Sequence, residues 1–398
     1  MAPDPTLMEV PAVDRDALTT SPYTLPRSEL RARRILSDWL AKADIQIDGN
    51  RPWDIHFNSP RLARRLLAGG SLTLGESYMD GDWEAPRLDA FFDRILSARL
   101  DREIVPAWLV FHVLKARIFN LQNKTRAWQV GERHYDLGND FYAAMLDSRL
   151  TYTCGYWRDA DNLEDAQVAK LDLICRKLEL KPGMTVLDIG CGWGSFMAYA
   201  AEHYGVHCLG VTISKAQVNH VNQAFPHLSV EARLLDYREI DDTFDRIVSI
   251  GMFEHVGRRN HRTYMAVAQR CLKDDGLFLL HTIGRNNRSV GADPWISKYI
   301  FPNGELPSIG QIGDAVDDLF VVEDLHNFGA DYDKTLMAWH ANVEAAWPRF
   351  ADRLGERFHR MWRYYLLSCA GAFRSRNIQL WQWVLHKTGV RRGYRRVS

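Results

Sequence analysis

The segment with the clearest chemical meaning runs from Val186 through Leu187, Asp188, Ile189, Gly190, Cys191, Gly192 and Trp193 to Gly194. It separates a run with strand character from a helical one. Alternate glycines there let the chain turn sharply and let a ligand approach the backbone where a Cβ would collide, although they would serve a ligand-free tight turn equally well. A dinucleotide site usually has G-x-G-x-x-G and an acid about 20 residues further on. Here the spacing is G-x-G-x-G, and between Asp188 and Glu231 the only acid is Glu202, inside the predicted helix. No G-x-x-x-x-G-K-[ST] follows any strand, so a phosphate-cradling NTPase loop is excluded. Asp188 ends the strand just before the glycines and suits a ligand with a positive amino-acid end. The pattern points to S-adenosylmethionine and to a class I methyltransferase domain, α/β and Rossmann-like.

Three later segments fit the same sheet edge. Thr212, Ile213, Ser214, Lys215, Ala216 and Gln217 follow the second predicted strand. Such domains often carry an acid there, so Thr212 and Gln217 must supply the polar contacts. Asp236, with Tyr237 beside it, follows the third strand and is placed for an adenine amino group. FDRIVSIGMFEHVG ends the fourth strand at Phe253, Glu254 and His255, where cofactor and acceptor should meet.

The elements that must hold these residues are legible from periodicity. From about Lys181 five strand candidates alternate with helices (MTVLDIG, HCLGVTI, LSVEARLLD, FDRIVSIG and GLFLLHTIG), which predicts a parallel sheet. Before them, residues 27–125 read as a mostly helical accessory domain behind a polar tail at 1–26, with the catalytic domain at 126–398. SELRARRILSDWLAKA puts Leu30, Ile35, Leu36, Trp39 and Leu40 on one broad face. PRLARRLLAGG reads as a helix stopped by its glycine pair, LGESYMDGDWE as turns, and Arg87 to Gln122 as further helix. The run at 111–126 holds Lys115, Arg117, Lys124 and Arg126, no acid and interleaved apolar residues. It reads as an ordinary solvated basic face, or as a helix lying on an anionic surface. The stretch from Trp383 to Ser398 has five Lys/Arg and no acid, and reads as a frayed end.

Several segments together resemble the cyclopropane-fatty-acyl-phospholipid synthase family: GSLTLGESYMDGDWE, HYDLGND, TYTCGYW, VLDIGCGWG, GVTISKAQ, GMFEHVG, HTIG, KYIFPNG, HNFGADYDKTLMAW and CAGAFR. The likeness spans Leu30 to Trp383. The long N-terminal region favours the phospholipid branch over the mycolic-acid branch. The resemblance implies that the π bond of a cis-alkene takes the sulfonium methyl carbon, leaving a carbocation and S-adenosylhomocysteine. Loss of a proton from the new methyl then closes a three-membered ring. Such chemistry requires positioning, a cation-tolerant pocket and a base, with no nucleophilic serine or cysteine. By motif, the resemblance gives a bicarbonate cage at Cys154, Glu254, His281, the Ile283 backbone and Tyr332. Cys369 is a further catalytic candidate of the family, to which this chemistry gives no thiolate task and which reads as lining the site, and Tyr152 and Thr153 join the cofactor loop. A lone Cys154 is otherwise a packed small hydrophobe, and His281 could simply bond a carbonyl. Two other readings stay open: a fatty-acyl C-methyltransferase that leaves a branched chain, and a silent lipid-binding relative.

Composition sets the surroundings. Fifty Lys+Arg balance fifty Asp+Glu, and 46% of residues are hydrophobic, as expected of a soluble globular protein and not of a nucleic-acid binder. Six cysteines at 154, 175, 191, 208, 271 and 369 form no C-x-x-C pair, which fits a reduced, cytoplasmic compartment. No signal peptide or membrane-spanning run is visible, so contact with the inner face of the phospholipid bilayer would be transient and peripheral. The resemblance also implies a homodimer, and an N-terminal domain at 27–125 that binds lipid.

Overall fold

The structure is a computed structural model that describes residues 25–100, 139–288 and 291–397. The N-terminal region contributes α1 (Arg27–Ala41), β1 (His56–Phe57), α2 (Leu62–Met79), β2 (Trp83–Glu84) and α3 (Leu88–Ser97). The glycine pair bends α2 without ending it: Gly70 leaves helical geometry (φ 59°, ψ −145°), and the helix runs on through LGESYM to Met79. On α1 the inward residues are Glu29, Ala32, Leu36 and Leu40, so the sequence-based face was drawn too broadly and Leu30 and Ile35 point outward. Glu29 is buried for a reason: its Oε1 accepts from the Ala63 amide at 2.8 Å and caps the start of α2. The basic run at 111–126 lies outside the described residues.

After α4 (Asn139–Met145) and α5 (Leu163–Lys177) the chain builds β3 (Thr185–Ile189), α6 (Ser195–Tyr204), β4 (His207–Thr212), α7 (Lys215–Ala224), β5 (Val230–Leu234) and β6 (Phe244–Ile250). Then come α8 (His261–Cys271), β7 (Leu272–Arg285), α9 (Pro294–Tyr299), α10 (Ile309–Val316), β8 (Val321–Asn327), α11 (Ala330–Ala346), α12 (Glu356–Arg374) and β9 (Ile378–His386). All five predicted strands are present and parallel, in a seven-stranded sheet of order β5-β4-β3-β6-β7-β9-β8. The two strands that the pattern did not reveal close the sheet, with β9 antiparallel to both β7 and β8. The residues read as a frayed end from Trp383 onward therefore begin inside β9, where Trp383 to His386 are buried between two neighbours. Beyond it the tail is tied down, the Tyr394 hydroxyl donating to the Lys177 carbonyl at 2.9 Å.

Two apolar clusters cover the faces of the sheet, and a third joins α1, α2 and α3 to α9, α11 and α12 through Trp83, Phe91, Trp295, Trp339 and Trp362. The N-terminal helices thus share a core with the catalytic region. Arg374, at the end of α12, holds both sides, donating to Asp89 of α3 at 2.6 Å and to Asp333 of α11 at 2.8 Å.

Candidate active site

A β-strand leaves its last carbonyl and side chain at the sheet edge, so residues that end parallel strands converge however far apart they lie in sequence. Asp188 of β3 pairs with Gly210 of β4 and Val248 of β6, and His281 of β7 pairs with Ile250 and with Gln382 of β9. Around this edge lies a cavity of about 910 Å³. At the cofactor end it is lined by Tyr152, Thr153, Asp188, Ile189, Gly190, Cys191, Gly192, Trp193, Thr212, Ile213, Ser214, Gln217, Asp236 and Tyr237. Val186, Leu187, Gly194, Lys215 and Ala216 are outside this lining: the first two are buried strand residues and Gly194 caps α6. Gly192 has φ +56°, and a Cβ there would meet no protein atom within 4 Å.

The polar groups of this end are partly committed to one another. Thr212 Oγ1 donates to Gln217 Oε1 at 2.6 Å, and Ser214 caps α7. Both oxygens of Asp236 accept from Arg238, at 2.8 and 2.6 Å, so the guanidinium already holds the carboxylate expected to meet an adenine. Asp188 is different. Its Oδ1 is buried without a hydrogen-bond partner, and burial raises its carboxyl to about 7. Lys170 opposes that shift. It reaches the cavity from α5, donates to Thr153 Oγ1 at 3.0 Å, and is lowered by burial to about 8.

Sequence reasoning missed Lys170, yet a signal exists. Leu163, Ala166, Gln167, Lys170, Ile174 and Lys177 form the buried stripe of α5 at helical spacing. Two lysines on an otherwise buried face are out of place unless each has a task, and Lys177 pairs with Asp324 at 3.3 Å.

The reacting end contains Glu254, His281, Ile283 and Tyr332, all lining the same cavity. Glu254 Oε1 accepts from the Ile283 amide at 2.7 Å, whereas Oε2 is buried without a partner. Burial raises this carboxyl to about 7, against the pull of the amide. The Ile283 amide is therefore engaged by Glu254. Gln382 lies 3.2 Å from His281 Nδ1. With the Gln382 amide nitrogen donating, as oriented here, the ring carries its proton on Nε2, which has no partner. Burial holds His281 well below its ordinary range, with Lys170 and Lys177 adding to the effect, so the ring is neutral. Gln382 was also absent from the sequence-based site, because it sits on the strand that the pattern did not reveal.

The two cysteines occupy different positions. Cys154 is fully buried, its Sγ donating to the Gly155 carbonyl at 3.1 Å, and it does not line the cavity. Cys369 does line it, but burial pushes the thiol up to about 12. Neither is poised as a thiolate.

Aromatic rings wall the space between. Tyr332 stacks on Phe373 at 4.5 Å, Tyr152 packs on Trp339 at 5.2 Å, and the hydroxyls of Tyr152 and Tyr365 lie 2.9 Å apart. From there the cavity passes Cys369 on α12 and continues, without a break, to Leu36, Trp39, Leu66 and Ile95 of the N-terminal helices. A polar cradle at one end, an aromatic middle and an apolar far end would suit a charged cofactor meeting a long hydrocarbon.

A mixed, mostly parallel sheet with a glycine cradle at the carboxyl edge of its parallel strands, and an acid ending the strand before it, defines a class I S-adenosylmethionine-dependent methyltransferase. The family model described as mycolic acid cyclopropane synthetase matches residues 122–383, and the chain belongs to that family. It is 55% identical to the cyclopropane-fatty-acyl-phospholipid synthase of Escherichia coli (strain K12) over 91% of this chain and 95% of that one. It is 37% identical to cyclopropane mycolic acid synthase 1 of Mycobacterium tuberculosis, over 64% of this chain and 96% of the relative. Among solved structures, the mycolic acid cyclopropane synthase CmaA1 complexed with SAH and CTAB superposes with a TM-score of 0.61 at 36% identity, over 65% of this chain and 98% of that one.

Proposed function

We propose that this enzyme converts the cis double bond of an acyl chain in a membrane phospholipid into a cyclopropane, with S-adenosylmethionine as methyl donor and bicarbonate as the retained base. The observation that carries the reading is the continuous cavity from Gly192 to the N-terminal helices, in a chain whose likeness to a phospholipid-acting relative includes those helices. The anion fits the site on its own terms. Glu254 Oε2 and His281 Nε2 are buried polar atoms without partners, and the Tyr332 side chain faces the same space. Glu254 would accept the hydroxyl hydrogen of bicarbonate, and His281 and Tyr332 would donate to its oxygens.

When bound, S-adenosylmethionine supplies an electrophilic methyl and bicarbonate supplies the base for the proton that ring closure releases. The chain's own residues do the rest. The Gly190–Gly192 turn leaves open space in the cavity, where Asp188 would hold the amine of the cofactor and Lys170 its carboxylate. Faces of Tyr152, Tyr332, Tyr365 and Phe373 stabilise positive charge developing on carbon. Gln382 fixes the His281 tautomer, and the Ile283 amide fixes the Glu254 rotamer. The apolar walls exclude water, which would otherwise capture the cation as an alcohol.

Among the described residues no helix is long and apolar enough to cross a membrane. In this reading the enzyme meets the bilayer peripherally, from the cytoplasm, as a homodimer. Mass spectrometry of unsaturated phospholipid vesicles incubated with enzyme and S-adenosylmethionine tests the reaction. The expected product gains the mass of one CH₂, resists mild hydrogenation, and forms more slowly in bicarbonate-depleted buffer. A product that gains a branch and no ring would sustain the C-methyltransferase reading instead.

A further inference from the structure

We infer that the outward face of α1 is the surface by which the enzyme docks on an anionic phospholipid bilayer, an inference that rests on the membrane-lipid reading above. Exposed large apolar side chains are few among the described residues, and two of them, Leu30 and Ile35, at 51% and 49% exposure, share one helix. Arg27, Arg31 and Arg34 are exposed on the same helix. Positions 27, 30, 31, 34, 35 and 38 recur at spacings of three and four, so these side chains form a single stripe, with Asp38 as its one acid. Arg33 differs: turned aside, it pairs with Asp48 and covers the Phe57 ring at 5.3 Å. Among the described residues no acid pairs with Arg27, Arg31 or Arg34.

At 100° per residue Arg27, Arg31 and Arg34 form the middle of the stripe and Leu30 and Ile35 its two edges, so the guanidinium groups meet phosphates while an aliphatic side chain on either side reaches into the headgroup layer. A second copy of the same face would bring three arginines against three, which disfavours a two-fold contact there. The opposite side of α1 strengthens the assignment. Leu36, Trp39 and Leu40 line the far end of the cavity. One helix, about 10 Å thick, therefore separates the proposed bilayer surface from the space that would receive the acyl chain.

The test uses full-length enzyme and mixed phosphatidylglycerol–phosphatidylethanolamine vesicles, with phosphatidylcholine vesicles as the neutral control. Two variants are compared with the parent: Arg27→Gln/Arg31→Gln/Arg34→Gln and Leu30→Ser/Ile35→Ser. In flotation at low salt the first should bind anionic vesicles roughly a hundredfold more weakly, about fivefold per arginine, and with a flattened salt dependence. The second should lose roughly tenfold on both vesicle types, in keeping with partial burial of two aliphatic side chains. Both should keep the parent's affinity for S-adenosylhomocysteine and turn over detergent-dispersed lipid within about twofold of the parent, since they lie outside the catalytic machinery. Parent-like vesicle binding by both variants overturns the docking face. So does a change of oligomeric state with vesicle binding unaltered, which would assign the stripe to a second copy. If the parent converts vesicle lipid while the variants match it, only the dock fails. If the parent neither binds nor modifies vesicles, the phospholipid reading and the dock fail together.

Discussion

Replacing Gly192 by valine separates what the glycine loop does for the fold from what it does for the ligand. The residue has φ +56°, where an L side chain costs about 1–2 kcal/mol, more toward the upper end for a β-branched one. Apart from its chain neighbours no protein atom lies within 4 Å of the added Cβ, so the Cβ itself adds no clash to that strain. For a chain of this length the cost lowers the melting temperature by a few degrees at most. The valine methyls would project into the cavity that Gly192 lines. A cofactor displaced by even one such contact loses two or three hydrogen bonds to the loop and its neighbours, about 1 kcal/mol each. Affinity for S-adenosylhomocysteine should fall roughly a hundredfold. Gly190→Ala is the contrasting variant, because its Cβ would meet Met252 Cγ at 2.5 Å and damage folding as well. Calorimetric titration with S-adenosylhomocysteine, paired with thermal unfolding, reads both quantities. Gly192→Val affinity within about threefold of the parent would show that the glycines serve the turn alone.

Other substitutions probe the reacting end. Glu254→Gln keeps the acceptor for the Ile283 amide but turns Oε2 into a donor, and kcat should fall about a hundredfold, with S-adenosylhomocysteine affinity unchanged. Because burial raises the Glu254 carboxyl to about 7 and the proposed role needs it as the anion, activity at fixed bicarbonate should decline as pH falls through that value. A flat profile from pH 6 to 8 contradicts the role, the window being that of the cited shift. Cys369→Ser should keep turnover within a few-fold, since a thiol pushed up to about 12 offers no thiolate; losses comparable to those of Glu254→Ala sink that assignment. Lys170, lowered to about 8, is cationic below that value, so cofactor affinity should weaken as pH rises from 7 to 9. Lys170→Met should bind roughly tenfold more weakly and lose that pH dependence.

The parallel half of the sheet was legible because buried parallel strands are short apolar runs between helices, and the glycine spacing marked the cofactor edge. VVEDLHN and IQLWQWVLH hid the antiparallel pair. The first carries acids on an edge strand, and the second places buried Gln379 and Gln382 where an apolar residue would be expected. The second of these glutamines contacts His281 of the candidate site, so the break in pattern falls where a polar partner is needed. Lys170 was hidden by a different ambiguity: on a helix, a lysine among apolar residues looks the same in sequence whether it snorkels to water or is buried. Glu29 posed the same problem in α1, where a carboxylate that caps a neighbouring helix occupied the inner face and displaced the apparent apolar stripe.

The shared core has a consequence for how far this chain can be shortened. Gly371 of α12 abuts the backbone of α3, where a Cβ would come within 2.6 Å of the Asp89 carbonyl, and Arg374 clasps the same turn. Removing the N-terminal helices would strip one wall from the cavity and uncover Tyr364, Phe373 and an arginine deprived of one acid. A family member that aligns only with the later part of the chain must therefore carry other residues on these faces of α11 and α12. Grafting the N-terminal helices onto such a relative would require rewriting that seam, residue by residue, before any lipid specificity could be transferred.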